Sequence, residues 1–395
     1  MAMSRHFVWQ YIASSVMAIM KSLFGNLQFV FIKNFFQLLW ENSANRVLLV
    51  MDILGLIIAL FPTINIKPWI ILSVNILVLV TTSVFILTKR NYRILTRPKA
   101  ILLEHSYHIN ALAISPNEKY LASCGGDNFA ILWNIKTNTP LMRIQHESWV
   151  GNIAFSPDNK FLYTLTGKNG TINQWDIVEK KLIFSKSWHK DQTRGLAISK
   201  SGKRAAISCK DGTFSYFDPT DKNFYSMPFK ITDVELRKIC ISRSDFIATA
   251  NTKGELFLID FNNSESGSCK LIYQDDNNEM IRGLDFNSKG TSLAFTDSGG
   301  NLKIMNLESD MIFSVKAHNG HAIAVTFSPN DQFVATGGQD NVICIWELKN
   351  NSIVKSFEIH GHSDDVTSLV FDNNLRLYSA SRDSTIKIWD LAGLY

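Results

Sequence analysis

Residues 362–391 read HSDDVTSLVFDNNLRLYSASRDSTIKIWDL. From Val366 to Phe371 apolar and polar residues alternate, Asp372-Asn373-Asn374 breaks the run, a second run reaches Ser381, and Arg382-Asp383-Ser384 leads into a third. Period-two alternation marks a half-buried strand, and Asp, Asn and Ser close tight turns. The same order stands at 321–348, HAIAVTFSPNDQFVATGGQDNVICIWEL, and at 108–135, HINALAISPNEKYLASCGGDNFAILWNI. Aligned on the apolar residue before the first turn, seven units anchor at Ile114, Phe155, Ile198, Ile241, Phe286, Phe327 and Phe371, spaced by 41, 43, 43, 45, 41 and 44 residues. One such unit cannot bury its own apolar face, so a constant period implies an array in which neighbours stack.

The repeat resembles that of WD-repeat (WD40) proteins, whose ~40–45 residues supply one four-stranded propeller blade. The resemblance covers residues 100–395 and implies an all-β seven-bladed propeller preceded by an α-helical membrane segment. It also implies a hydrogen-bond tetrad in each blade. Its His position, nine residues before each anchor, holds His105, His146, His189, Thr232, Asn277, His318 and His362. The Ser/Thr position holds Ser123, Thr164, Thr336 and Ser379; the turn Asp is Asp127, Asp211, Asp340 or Asp383; the Trp is Trp133, Trp175, Trp346 or Trp389. Blades 1, 6 and 7 are complete. Blades 2 and 3 are partial, with Asn169 and Phe217 as substitutes. Blades 4 and 5 lack the set, carrying Lys253 and Gly299 in the turn and Ile259 and Met305 for Trp.

A buried imidazole bridging a hydroxyl and a carboxylate, extended by an indole N–H, is a structural lattice. His, Ser and Asp together also suggest a hydrolase triad. Their repetition around the ring, with no phosphate loop, metal cluster or nucleophile motif, leads to the expectation of no enzyme activity and no cofactor. Ala100 to Glu104 precedes the first His without a blade of its own, and is expected to latch onto blade 7 as its outer strand.

The chain is uneven in charge. Residues 1–98 hold nine Lys/Arg against two Asp/Glu, net +7, and the remainder holds 31 against 33, net −2. The formal +5 thus belongs to the apolar N-terminal segment, and no nucleic-acid partner is expected. Residues 1–45 read as an interfacial amphipathic segment and 46–88 as a transmembrane helical hairpin. The runs 47–64 and 69–88 each approach the roughly 20 residues needed to cross a bilayer. Residues 89–99 form a basic juxtamembrane linker. Lys89, Arg90, Arg93, Arg97 and Lys99, against Lys67 alone between the spans, place the propeller in the cytoplasm by the positive-inside rule. The expectation is an integral membrane protein of the bacterial inner membrane or the endoplasmic reticulum, with residues 1–88 in contact with the lipid bilayer. Five cysteines without metal spacing read as reduced thiols.

In WD-repeat propellers the residue after the first apolar residue of each inner strand lies at the top rim of the channel. The resemblance assigns that row to Asn110, Gly151, Arg194, Arg237, Arg282, Ala324 and Thr367. The residue before the tight turn adds Lys168, Lys210 and Arg382, and Trp149 stands beside the row. Guanidinium groups bind carboxylate or phosphate two-pronged, so Arg194, Arg237 and Arg282 read as an anion-binding arc for an acidic or phosphorylated peptide. The functional expectation is a membrane-anchored scaffold for protein–protein interactions. The alternative is a membrane-bound sensor for a small anionic ligand or lipid headgroup.

Overall fold

The computed structural model describes residues 97–168, 170–187, 191–219, 229–261, 268–349 and 352–391. The expected amphipathic segment, membrane hairpin and most of the basic linker lie outside them, as do His189 and Asn169. Among the described residues no helix is long and apolar enough to cross a membrane.

Those residues form seven four-stranded sheets. Blade 1 runs outward through Ile109–Ile114, Tyr120–Gly125, Phe129–Asn134 and Thr139–Gln145, all antiparallel. The other blades repeat this order, and every sequence anchor is the last residue of an innermost strand. Each innermost strand packs against that of the next blade, the seventh returning to the first. The second strands are buried along nearly their whole length, Phe333–Gly338 completely, because both faces are covered by neighbouring blades. Outer strands such as Lys181–Ser187 are mostly exposed.

Two turns recur at the same left-handed backbone conformation. Between the first and second strands it falls on Glu118, Asn159, Gly202, Asp245, Gly290, Asp331 and Leu375; between the second and third, on Asn128, Gly170, Gly212, Gly254, Gly300, Asn341 and Ser384. Gly, Asn and Asp tolerate positive φ, which explains eleven of these fourteen positions. Glu118, Ser384 and Leu375 are the exceptions, and Leu375, at φ 59°, is the one with an apolar branched side chain.

The ring is closed by the strand that precedes blade 1. Ala100–Leu102 pairs antiparallel with Ile386–Asp390 in the register Ala100↔Ile388, Ile101↔Lys387 and Leu102↔Ile386. Lys99 N donates to Ile388 O at 2.6 Å, and Lys99 Nζ pairs with Asp390 at 2.9 Å. The paired strand ends at Leu102, so Leu103 and Glu104 do not extend it. Leu102 joins Ile109, Leu121, Trp133, Tyr378, Ile386 and Ile388 in one apolar cluster across the seam. Residues from both ends of the propeller thus share one core, and the closure is cooperative.

Candidate functional site

Three blades carry the complete lattice. In blade 1 His105 Nδ1 meets Asp127 at 2.8 Å, His105 Nε2 meets Ser123 Oγ at 2.8 Å, and Trp133 Nε1 donates to Ser123 Oγ at 2.9 Å. In blade 6 the corresponding distances are 2.9 Å for His318–Asp340, 2.8 Å for His318–Thr336 and 2.9 Å for Trp346–Thr336. In blade 7 they are 2.8 Å for His362–Asp383, 2.7 Å for His362–Ser379 and 2.8 Å for Trp389–Ser379. Each Asp also accepts backbone N–H groups, as Asp127 does from Ser106 and Phe129. Against the upward push of burial, the His hydrogen bond and these N–H groups hold Asp127, Asp340 and Asp383 below the usual carboxylate range. Each hydroxyl already takes two hydrogen bonds inside the blade, and the set turns the second strand, third strand and turn into one unit.

Blade 2 departs from this. Trp175 Nε1 still donates to Thr164 Oγ1 at 3.1 Å, but His146 stacks edge-on against Trp175, and among the described residues its buried Nε2 has no hydrogen-bond partner. Burial lowers the His146 pKa to about 4.

Blade 5 holds a network that the repeat pattern does not reveal. Lys303, on the third strand Asn301–Asn306, is buried and pairs with Asp275 at 2.6 Å and Asp297 at 2.7 Å. Tyr273 donates to Asp275 at 2.9 Å, and the Lys303 ammonium lies 5.4 Å from the Tyr273 ring centre. Asp275 N bonds Gly254 O just as His146 N bonds Asn128 O, so Asp275 fills the His position. The sequence register had put Asn277 there; a loop two residues longer displaces it. Burial pushes the Asp275 carboxyl up, but Lys303 and backbone N–H groups bring it down to about 2.

The rim is built by a β-bulge repeated in every blade. Pairing of the first and second strands slips between Ile109/Ala111, Val150/Asn152, Thr193/Gly195, Leu236/Lys238, Ile281/Gly283, Ala322/Ala324 and Val366/Ser368. The extra residues are therefore Asn110, Gly151, Arg194, Arg237, Arg282, Ile323 and Thr367. Ile323 replaces the expected Ala324, because the innermost strand of blade 6 starts at Ala322. Bulges re-aim side chains, and here they turn them toward the next blade. Asn110 Nδ2 donates to Val150 O at 2.8 Å, and Thr367 Oγ1 to Ile109 O at 2.6 Å.

The three arginines consequently differ. Arg194 Nε donates to Glu235 at 2.8 Å and is neutralised. Among the described residues, Arg237 Nη1 reaches Met280 Sδ alone, at 3.5 Å, and the buried Arg282 Nε has no hydrogen-bond partner. Burial lowers the pKa of both; for Arg237 the Glu235 carboxylate opposes this and Arg194 adds to it, and for Arg282 the cations Arg237 and Arg382 add to it while Asp365 opposes it. Lys238, adjacent in sequence, is lowered to about 8 by burial and then by Arg237 and Arg282.

The other rim candidates are dispersed. Arg382 pairs with Asp365 at 2.9 Å. Lys210 and Lys168 are exposed. Lys210 N bonds Gln192 O as Arg382 N bonds Asp365 O, whereas in blade 2 that bond comes from Gly167, leaving Lys168 one residue further into a longer turn. Trp149 is half-buried over a glycine platform: a Cβ on Gly167 would lie 1.8 Å from its ring, and one on Gly151 2.7 Å. Its ring is thereby fixed, and Gly151 is the rim residue that makes room for it.

The chain is a seven-bladed propeller with WD40 repeats. Residues 96–134, 138–176, 310–347 and 352–390 match the family described as WD domain, G-beta repeat. These segments hold blades 1, 2, 6 and 7, and the unmatched stretch between them holds blades 3–5, which include the two blades without the tetrad residues and carry Arg194, Arg237 and Arg282.

Striatin-4 of Homo sapiens is 30% identical over 132 residues, covering 28% of this chain and 18% of that protein. A guanine nucleotide-binding protein subunit beta-like protein of Encephalitozoon cuniculi (strain GB-M1) is 25% identical over 164 residues, 40% of this chain and 49% of that one. WD repeat-containing protein 37 of Homo sapiens is 30% identical over 86 residues, 22% of this chain and 17% of that one. The chain thus spans at most half the length of these relatives.

Proposed function

We propose that the protein is a membrane-anchored scaffold that holds a propeller in the cytoplasm and binds a protein partner on its top rim. Two observations support the anchor: the uncharged run 69–88 and the basic cluster that follows it. The observation that carries the partner reading is the rim of blades 4 and 5, where Arg237 and Arg282 stand without a carboxylate partner among the described residues. Similarity to striatin-4 and WD repeat-containing protein 37 supports an interaction module over an enzyme. A rigid ring whose strands are locked blade to blade offers loops and rim for recognition at little entropic cost.

The test uses the full chain in its own cell, with a proximity-labelling enzyme fused at the C-terminus. A discrete set of cytoplasmic proteins should be labelled, and Arg237→Glu with Arg282→Glu should remove members of that set while membrane association persists. An unchanged set would place recognition elsewhere. In a eukaryotic host the sequons at Asn169, Asn262 and Asn350 should remain unglycosylated; a glycan on any would contradict the cytoplasmic placement.

A further inference from the structure

Each bulge residue is aimed at the next blade, so its natural counter-ion is the residue two positions before that blade's own bulge. For Arg194 this is Glu235, at 2.8 Å. For Arg237 it is Met280, and for Arg282 it is His321, whose Nδ1 is engaged with Ser298 O at 2.7 Å. Neither is an anion.

Lys238 adds a third cation at the same place. The other blades carry Ala111, Asn152, Gly195, Gly283, Ala324 and Ser368 at its position, where innermost strands approach closely; a Cβ at Gly195 would lie 2.8 Å from Ile239 of the next blade. Asp285, a half-buried carboxylate further along the neighbouring strand, accepts from Phe327 N at 2.8 Å, and desolvation pushes its carboxyl up to about 6. Among the described residues, no carboxylate forms an ion pair with Arg237, Lys238 or Arg282. At both ends of the row the charges are matched, Arg194 by Glu235 and Arg382 by Asp365. Three partly desolvated cations that repel one another are left in between, an arrangement stabilised when a ligand supplies the opposite charge.

Resting on the partner-binding reading above, we propose that Arg237, Lys238 and Arg282 form a receptor for a phosphomonoester dianion borne on a side chain of the protein partner. Two guanidinium forks and an ammonium supply more donors than one carboxylate can accept. A phosphoryl group has three terminal oxygens and a charge close to −2.

Pyridoxal 5′-phosphate is the probe, used on the purified full chain. Its aldehyde condenses with a free lysine amine with loss of water, and borohydride then adds hydride to the imine, fixing the label for mass spectrometry. Lys238 should be labelled about tenfold or more faster than exposed lysines, with the advantage depending on the phosphate: pyridoxal itself should show at least about tenfold less selectivity. Arg237→Gln or Arg282→Gln should abolish that phosphate-dependent advantage, while Arg194→Gln retains it. A short phosphoserine peptide should protect Lys238 and its unphosphorylated twin should not.

Equal labelling by pyridoxal and its phosphate, or indifference to the two arginine substitutions, would overturn the receptor. Protection by phosphatidylcholine vesicles carrying phosphatidylinositol 4-phosphate, without protection by the phosphopeptide, would overturn its assignment to a protein. The assay needs no partner, so its failure is distinct from a failure of partner capture by the full chain.

Discussion

Replacing Lys303 by Met tests whether blade 5 is held by an ion cluster in place of the tetrad. The substitution keeps the methylene stem and removes the ammonium that Asp275 and Asp297 share at 2.6 and 2.7 Å. Breaking a buried pair by removing one partner costs about 3–5 kcal/mol, since the other charge is left uncompensated. Here the low end applies, about 3 kcal/mol, because the carboxylates keep other donors: Asn277 N, Glu279 N and Tyr273 OH for Asp275, and Asn301 N and Nδ2 for Asp297.

The sign of the pH dependence sharpens the test. Asp275 is held down to about 2 in the native protein, so its contribution is present above the unfolded carboxylate value and is lost as pH falls through the interval from about 4 to 2. Without Lys303 the burial of Asp275 is no longer offset by the ammonium, its folded carboxyl binds a proton more readily than the unfolded one, and stability should rise as pH falls toward 5. Urea midpoints measured between pH 8 and pH 5 read both the loss and the slope. Adding Asp275→Asn and Asp297→Asn to Lys303→Met should recover most of the loss. A single mutant within about 0.5 kcal/mol of wild type, with an unchanged pH slope, would refute the cluster.

Three further outcomes are expected. Trp389→Phe removes the indole donor to Ser379, whose hydroxyl keeps His362, and should cost roughly 1–3 kcal/mol in urea midpoint with the secondary structure retained. A propeller beginning at His105 should melt well below one beginning at Lys99, by at least about 3 kcal/mol, because Ile386–Asp390 loses a paired strand and Leu102 leaves the seam; coincident melting would contradict the latch. Leu375→Asn, at φ 59°, should raise the midpoint by about 0.5–1 kcal/mol, since Asn tolerates the left-handed conformation that Leu resists.

Much of the architecture was legible because burial imposes a period. The seven anchors close the seven innermost strands, and in blades 1, 6 and 7 the four tetrad residues meet within 2.9 Å. The Lys303 cluster was not legible. A lysine in a strand reads as solvent-facing, and one of its partners, Asp275, sits two residues off the repeat register in a lengthened loop. The rim was half legible: six of the seven row residues fall on the bulge, but its charges could be judged only diagonally. Arg194 beside Glu235 is a pair between two repeats and two different positions, invisible while each row is read alone. Trp149 was likewise singled out without its cause, since the platform of Gly151 and Gly167 joins two strands of blade 2.

The blades that lost the tetrad did not lose its task. The turn after the second strand must be capped wherever its N–H groups are turned from water. Asp127 caps it in blade 1 by accepting Phe129 N at 3.1 Å. In blade 4 Asn251 Oδ1 accepts both Lys253 N and Glu255 N at 3.0 Å, and in blade 5 Asp297 accepts Asn301 N at 2.9 Å. These caps lie on the second strand, whereas the unmatched cations lie at the bulge of the first. Stability and the proposed recognition therefore draw on different residues of the same blade. Blades 4 and 5 can hold Arg237, Lys238 and Arg282 near the channel because the repulsion there is set against caps that do not depend on the rim.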